Sequence, residues 1–181
     1  DSRWWSPIIN AEHLAMRERA GMVDLTAFAI FDVIGPKAME TVQRIIVAQA
    51  DVQIGRVIYT PVLDDRGGFR SDLTVMRLAH DTFRVVTGGA HGMADFKWFS
   101  DRMPADGGAV CVNVTSSWTT VGLWGPKALD ILGSLTDADV SSGTFKFGTC
   151  QNIEIGNLPV LASRISYVGE FGWELYAPME M

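Results

Sequence analysis

Cysteine, histidine and clustered basic residues are scarce in this chain, and each shortage excludes a class of function. The two cysteines, Cys111 and Cys150, stand alone in apolar or strand-like surroundings, which favours reduced, structural thiols. The net charge is −6 and no segment concentrates Lys and Arg, so no nucleic-acid partner is expected. The apolar runs are too short and too often interrupted to span a bilayer, so no membrane association is expected.

Motifs for metals and nucleotides are also missing. The three histidines, His13, His80 and His91, do not have the spacing of metal ligands, so no metal site is predicted. No dinucleotide fingerprint follows any predicted strand, so the chain itself is not expected to bind flavin. The N-terminus carries no signal-peptide pattern. Together with the reduced thiols, this indicates a cytoplasmic protein, or a mitochondrial matrix protein if the source is eukaryotic.

The bulk composition predicts a globular chain. A length of 181 residues fits one domain or two small ones. Hydrophobic residues make up 48% and charged residues 20%, proportions that favour a packed core over disorder. The chain has no initiator Met and stops just after a predicted strand, so we interpret residues 1–181 as a fragment of a longer protein.

The apolar periodicity and the turn residues predict helices and strands along most of the chain. Asn10 is the predicted N-cap of a first helix, which runs from Ala11 towards Ala20 with Leu14 and Ala15 facing inward. Other helices are predicted after Pro36 and Pro126 and from Gly92 towards Arg102. The predicted strands are Ala27–Ile34, Arg56–Leu63, Asp72–Leu78, Phe83–Thr87, Thr119–Trp124 and a hairpin within Val160–Tyr176.

The tetrapeptide Gly-Pro-Lys-Ala occurs twice, at residues 35–38 and 125–128. Each copy follows a predicted strand, opens a predicted helix and is followed by a predicted two-stranded hairpin. This repeated order favours an internal structural duplication with halves of about 1–104 and 105–181. The predicted fold class is α+β: two related βαββ-type halves in which helices pack on antiparallel or mixed sheets.

The first hairpin presents a candidate pair of functional side chains. Asp72 shares a strand face with Met76 and Leu78, where an unpaired buried carboxylate would be costly. It must therefore lie at the open end of the strand or face a polar cavity, although a solvated turn residue is an equally simple interpretation. Because the hairpin centre is near Arg66, Tyr59 and Asp72 are expected within a rung or two of each other.

The segment 164–176 predicts a second hairpin of the same kind. We interpret it as two strands folded over a turn near Gly169-Glu170-Phe171, with Tyr167 on one arm and Glu174 on the other. A phenol and a carboxylate on facing strands can hold a flat ring that carries hydrogen-bonding groups. The alternative is a solvated acidic face. The two hairpins together are expected to line one cleft sized for a bicyclic heterocycle.

These segments resemble the tetrahydrofolate-dependent aminomethyltransferase family, typified by the T-protein of the glycine cleavage system. The resemblance is stronger to the C-terminal folate-binding region of dimethylglycine and sarcosine dehydrogenases, a branch that Trp4-Trp5 and Leu123-Trp124-Gly125-Pro126 favour. The absence of an Asn just after the strand ending at Gly88 favours the same branch. The matching segments are 12–25, 55–60, 67–74 and 166–174, which span nearly the whole chain in order.

The resemblance implies a folate-binding domain of T-protein type, with the chain ending before the family's C-terminal barrel. It implies that Asp72 is the catalytic acid beside the N5/N10 region of tetrahydrofolate. It also implies that Tyr59 lines the folate site and that Tyr167 and Glu174 contact the pterin. A one-carbon unit would pass from an N-methylated amino acid, or its iminium, to tetrahydrofolate. An N-terminal flavin oxidase region of the parent protein, outside this chain, would supply FAD.

Several alternatives remain open at this level. Some members of the family are non-catalytic folate-binding scaffolds in tRNA modification or iron–sulfur assembly. Others are glycine cleavage T-proteins, or O- or S-demethylases that use the same folate site. The presence of Tyr59, Asp72, Tyr167 and Glu174 together argues against a scaffold. The methyl donor itself is not encoded in these residues.

Overall fold

The computed structural model describes residues 6–181, so the dipeptide Trp4-Trp5 lies outside the described residues. Four helices lie in this part of the chain: α1 (Pro7–Glu18), α2 (Ala38–Ile45), α3 (Gly92–Ser100) and α4 (Ala128–Gly133). The same part contains ten strands: β1 (Gly21–Asp24), β2 (Ala29–Ile34), β3 (Val57–Leu63), β4 (Phe69–Ala79), β5 (Thr82–Thr87), β6 (Val110–Asn113), β7 (Trp118–Trp124), β8 (Cys150–Ile155), β9 (Leu158–Ser163) and β10 (Gly172–Pro178).

The chain forms two compact units that are not contiguous in sequence. The first consists of residues up to 26, 119–147 and 151–181, and the second of residues 27–118 and 148–150. Each unit has its own antiparallel sheet and its own apolar cluster. The predicted α+β class is therefore confirmed.

The second unit is built on the sheet β3-β4-β5-β2-β6. Strand β4 lies beside both β3 and β5, and every neighbouring pair runs antiparallel. Alternate side chains of β4 point into the core, where Leu73 and Val75 are buried. Helix α2 packs on this core through Val42 and Ile45.

The first unit is built on the sheet β1-β7-β10-β9-β8. Its core contains Leu132 of α4 and Trp173 of β10, both fully buried. The ring of Phe145 packs against that of Trp173, with 6.2 Å between the ring centroids. Strand β10 pairs antiparallel with β9 from Glu174↔Ser163 to Tyr176↔Leu161. The second arm of the predicted second hairpin is therefore a strand, but its partner is β9 and not the segment that carries Tyr167.

Both copies of Gly-Pro-Lys-Ala have the predicted surroundings. The first connects β2 to α2 and the second connects β7 to α4. Three short or irregular strands, β1, β6 and β8, were not predicted. Strands β1 and β6 have only four residues each, too few for the alternation of apolar and polar side chains to be recognisable.

The first helix differs from its prediction at its start and on its inward side. Helix α1 begins at Pro7, and the hydroxyl of Ser6 accepts from the amide of Ile9 at 3.4 Å, so Ser6 and not Asn10 is the N-cap. Proline suits the first helical position because it has no amide hydrogen to leave unpaired. None of the helix side chains is buried, and Leu14 is 47% exposed, so the prediction that it faces the core is wrong.

Candidate functional site

Tyr59 and Asp72 meet on the exposed face of the β3–β4 hairpin. In the ladder Tyr59 lies opposite Thr74 and Asp72 lies opposite Pro61, so the two are diagonal neighbours on one face. The phenol of Tyr59 donates a hydrogen bond to a carboxylate oxygen of Asp72. Both side chains are open to solvent, Tyr59 at 71%. The predicted proximity is confirmed, and Asp72 lies within β4, on a face that is open to solvent.

The strand that carries Asp72 is fixed from its buried side. Ser71, the preceding residue, points inward and donates to the carboxylate of Asp95 at 2.7 Å. Thr87 of β5 donates to the same oxygen of Asp95, also at 2.7 Å. Asp95 belongs to α3 and is only 5% exposed, so the network joins β4, β5 and α3 beneath Asp72. Two hydroxyl donors satisfy one oxygen of a carboxylate that would otherwise be costly to bury.

Glu174 occupies a buried position on β10. It is 5% exposed, and the phenol of Tyr176 donates to its carboxylate at 2.5 Å. Burial raises the pKa of Glu174 above its ordinary value, because desolvation penalises the charged form, and the hydrogen bond from Tyr176 opposes that shift. Glu174 is thus a sheltered carboxylate with one donor among the described residues, and it has room in its hydrogen-bonding capacity for further donors.

Tyr167 lies in a loop and not on a strand. The first arm predicted for the second hairpin, residues 164–168, follows the end of β9 at Ser163 and forms no strand. Glu174 pairs with Ser163 in the ladder, so the prediction that Tyr167 and Glu174 face each other across two strands is wrong. Tyr167 is 89% exposed.

The loop from residue 164 to residue 171 is held at both ends. Near its start, the indole nitrogen of Trp124 donates to the carbonyl of Ile165 at 3.0 Å. At its end, the amide of Gly125 donates to the carbonyl of Phe171 at 2.9 Å. These hydrogen bonds occupy main-chain groups that a β-ladder would have used, which explains why the segment is not a strand.

A buried arginine and a surface ion pair add to this anchoring. Arg164 is 8% exposed, stacks over Phe171 with 4.5 Å to the ring centroid, and donates to the carbonyl of Phe145. At the exposed tip, Arg17 of α1 and Glu170 form an ion pair of 2.5 Å. The loop therefore has fixed ends and presents Tyr167 to solvent between them.

Asp95, Ser71 and Tyr176 were not identified from the sequence as parts of the site. Tyr176 could have been found, because side chains two apart on a strand share a face and Glu174 precedes it by two. Asp95 could not, because its partner Ser71 is 24 residues away in the sequence. Only the packing of α3 against the sheet brings the two together.

Other candidate chemistry is limited in the described residues. Across residues 6–181, no three side chains of His, Cys, Asp and Glu are grouped so as to hold a metal ion. Burial raises the pKa of both Cys111 and Cys150 to about 11, so neither thiol is a nucleophile at neutral pH.

An open depression of about 520 Å³ on the first unit is lined by Arg19, Lys127 and Asp130, among others, and by none of the four predicted site residues. No helix in the described part of the chain is long and apolar enough to cross a bilayer.

Comparisons with known proteins identify the family of this chain. The chain is 33% identical over 177 residues to 4-methylaminobutanoate oxidase (formaldehyde-forming) of Paenarthrobacter nicotinovorans, covering 98% of this chain and 21% of that protein. It is 31% identical over 176 residues to mitochondrial dimethylglycine dehydrogenase of Rattus norvegicus, covering 97% of this chain and 20% of that protein. The chain thus spans about a fifth of the length of these curated relatives.

A solved structure shares the fold. The glycine cleavage system aminomethyltransferase T from Bartonella henselae superposes with a TM-score of 0.80 at 27% identity, over 94% of this chain and 45% of that one. The family model described as the GCVT N-terminal domain matches residues 1–181. The chain therefore belongs to the GCVT N-terminal domain family and is an aminomethyltransferase-type domain.

Proposed function

We propose that this chain binds tetrahydrofolate and takes part in transferring a one-carbon unit to it from an N-methylated amino acid. The observation that carries the proposal is the hydrogen-bonded pair of Tyr59 and Asp72 on an exposed strand face. A carboxylate that is fixed by a neighbouring phenol and open to solvent is available to a ligand without rearrangement of the core. Membership of a folate-dependent family supports the choice of ligand.

The proposed roles follow from the chemistry of each side chain. Asp72 acts near N5 and N10 of the folate, and Tyr59 orients it by donating a hydrogen bond. Glu174 accepts hydrogen bonds from the amide and amino edge of the pterin, which suits its sheltered carboxylate. Tyr167 offers a flat apolar ring with a polar tip, and its exposure supports a role in ligand contact.

The proposed reaction starts from the iminium of the methylated amino acid, which an oxidase region elsewhere in the protein would supply. N5 of tetrahydrofolate attacks the iminium carbon, and a new carbon–nitrogen bond forms. N5 would lose its proton after the attack, and the amino acid nitrogen would take up a proton as its bond to the transferred carbon breaks. N10 would then close the five-membered ring with loss of its own proton, so that one proton is released overall. Asp72 stabilises the cation during these steps and assists proton transfer at nitrogen.

The experiment that tests the proposal compares Asp72→Asn with Asp65→Asn. Asp65 is an exposed acid in the turn of the same hairpin, so its replacement removes the same charge from a nearby surface. In the complete protein, Asp72→Asn is expected to keep tetrahydrofolate binding and to lose most of the transfer rate, about 100-fold or more. Transfer at the normal rate by Asp72→Asn would refute the catalytic role.

The methyl donor is the finer part of the proposal. We favour a dimethylglycine- or sarcosine-type donor over glycine cleavage, supported by the similarity to dimethylglycine dehydrogenase. That relative is about five times longer than this chain, which supports a flavin-bearing partner region in the complete protein. Turnover assays with dimethylglycine, sarcosine and the aminomethyl carrier of glycine cleavage would identify the donor.

The compartment belongs to the same proposal. Two unpaired, buried or half-buried thiols support a reducing setting, which is the cytoplasm or, in a eukaryote, the mitochondrial matrix. A non-catalytic scaffold is the competing function. A one-carbon transfer assay with tetrahydrofolate separates the two, because a non-catalytic scaffold binds the folate without passing a one-carbon unit to it.

A further inference from the structure

Two arginines hold the same tryptophan ring in the second unit. The guanidinium carbon of Arg70 lies 3.8 Å from the ring centroid of Trp98, and that of Arg102 lies 3.1 Å from it. Both guanidinium groups therefore lie directly against the ring. Two guanidinium groups cannot occupy the same space, so they must lie on opposite faces of the ring. The indole is thus covered by a cation on each side.

A β-bulge turns Arg70 towards the tryptophan. In the β3–β4 ladder Val62 pairs with Ser71 and Leu63 pairs with Phe69, which leaves Arg70 without a partner. An extra residue of this kind bends the strand and redirects its side chain. Trp98 lies near the end of α3, and Arg102 follows that helix and donates to the carbonyl of Trp98 at 3.2 Å. Local backbone geometry therefore places all three side chains.

The two positive charges are not neutralised by the protein. Within residues 6–181, neither arginine has a carboxylate oxygen within 4 Å, although the chain carries 21 acidic side chains against 15 basic ones. The amides of Gly68 and Arg66 donate to the carboxylate of Asp64 and lower its pKa, and the charge of Arg70 lowers that pKa further. Asp64 forms no ion pair with Arg70 among the described residues. Asp101, beside Arg102 in the sequence, is paired with Lys97.

We propose that Arg70, Trp98 and Arg102 form a binding site for a dicarboxylate, with one carboxylate held by each guanidinium around the edge of the ring. Guanidinium groups bind carboxylates with two parallel hydrogen bonds, and stacking on an aromatic ring fixes their orientation beforehand. The separation of the two guanidinium carbons is at most the two centroid distances together. A glutamate residue, whose two carboxylates are joined by a short carbon chain, matches that separation.

Two sources supply this chemistry. One is a free γ-glutamyl compound, and the other is the glutamate end of a reduced folate. The second source rests on the proposed function, and it requires a folate that reaches past the edge of the sheet, because the bulge turns Arg70 towards α3 while Asp72 points to solvent. The site is otherwise independent of the Tyr59–Asp72 pair, because none of its three residues contributes to that hydrogen bond.

The test measures binding of three ligands by calorimetry: γ-glutamylglutamate, tetrahydrofolate and a tetrahydropterin that has no glutamate. Each is titrated into the wild type, Arg70→Gln, Arg102→Gln and the control Arg66→Gln. Arg66 is exposed in the turn of the same hairpin and stacks on no ring among residues 6–181. We expect the two site variants to bind γ-glutamylglutamate about tenfold more weakly and the control to bind it normally.

Thermal unfolding shows whether each variant is folded. Arg70 is exposed, so Arg70→Gln is expected to remain folded even if Arg102→Gln does not, and Arg102→Lys preserves the charge while losing the planar fork. Equal affinity of the wild type and Arg70→Gln for γ-glutamylglutamate, or no binding by the wild type, would overturn the site.

The two proposals fail in different ways. If the site exists but the proposed function is wrong, γ-glutamylglutamate binds through the arginines and the tetrahydropterin does not bind. If the proposed function holds without the site, tetrahydrofolate and the tetrahydropterin bind and the arginine variants change neither affinity. A tenfold loss for tetrahydrofolate with no loss for the tetrahydropterin identifies the folate's glutamate end as the source.

Discussion

Tyr59 donates a hydrogen bond to Asp72 across the β3–β4 ladder, from a position two residues along the same exposed face. The pair sits above a second, buried network in which Ser71 donates to Asp95. Strand alternation separates the two: Asp72 points to solvent and Ser71 points to the core. An exposed carboxylate is thus carried by a strand whose inner side is fixed.

Replacing Tyr59 with Phe should slow one-carbon transfer in the complete protein without unfolding it. The hydroxyl is the group that orients Asp72, so we expect about a tenfold loss of transfer rate, with tetrahydrofolate affinity unchanged in calorimetry. Because Tyr59 is 71% exposed, the free energy of unfolding in urea should change by no more than about 0.5 kcal/mol. An unchanged transfer rate would show that the phenol does not serve Asp72.

Glu174 should make the folded state less stable as pH rises. Its pKa in the folded state is raised above the ordinary 4.5, so the folded protein holds a proton that the unfolded chain releases as pH rises through this region. The stability of the wild type should therefore fall, relative to Glu174→Gln, as pH increases from about 4 upward.

The measurement is urea unfolding of both proteins at several pH values. Glu154→Gln is the control, because it removes an exposed carboxylate from strand β8. If the difference in free energy of unfolding between wild type and Glu174→Gln stays constant with pH, the raised pKa of Glu174 is contradicted.

Tyr176→Phe should shift the pH dependence of ligand binding. The phenol of Tyr176 lowers the pKa of Glu174 by donating to its charged form, so its removal should raise that pKa further. If the ionised carboxylate accepts hydrogen bonds from the pterin, the midpoint of tetrahydrofolate affinity against pH should move upward. Tyr167→Phe, at an exposed tyrosine, should leave that midpoint unchanged.

Ser71→Ala should destabilise the second unit more than removal of a surface hydroxyl. The change takes one of two donors from the buried Asp95 carboxylate and should cost about 1–3 kcal/mol of unfolding free energy. Ser134→Ala, at an exposed position, is the matched control and should cost little. Equal effects of the two changes in urea unfolding would show that the network contributes nothing beyond a surface contact.

Gly172→Ala should be far more damaging than Gly67→Ala. Both glycines have positive φ, 149° and 80°, so both variants carry backbone strain. At Gly172 a methyl group would also meet the carbonyl oxygen of Leu123 and the ring of Trp124, whereas at Gly67 no atom lies within 4 Å. Thermal unfolding should show a loss of about 1 kcal/mol at Gly67 and several times more at Gly172.

Much of the fold could be predicted because local patterns encode it. The Gly-Pro-Lys-Ala segments mark the ends of β2 and β7, since proline suits the first helical turn and glycine the turn before it. The β3–β4 hairpin was predictable because its turn is short and fixes which residues face each other. The pairing of Tyr59 with Asp72 follows from that register.

The second hairpin shows where the same reasoning fails. Tyr167 follows β9 closely enough to suggest a continuing strand. However, the indole nitrogen of Trp124 donates a hydrogen bond to the carbonyl of Ile165. Trp124 is 41 residues away in sequence, and its hydrogen bond competes with a ladder that local pattern alone would favour. No reading of residues 164–176 by themselves includes that partner.

The sequence by itself therefore determined the α+β class, the order of most elements, the family and the exposed Tyr59–Asp72 pair, because these depend on periodicity and on contacts between near neighbours. Tertiary structure alone decided that Glu174 is sheltered, that Asp95 fixes the strand beneath Asp72, and that Arg70 and Arg102 enclose Trp98. Burial and pairing of these groups arise when segments distant in sequence pack together, and no local pattern specifies which segments will meet.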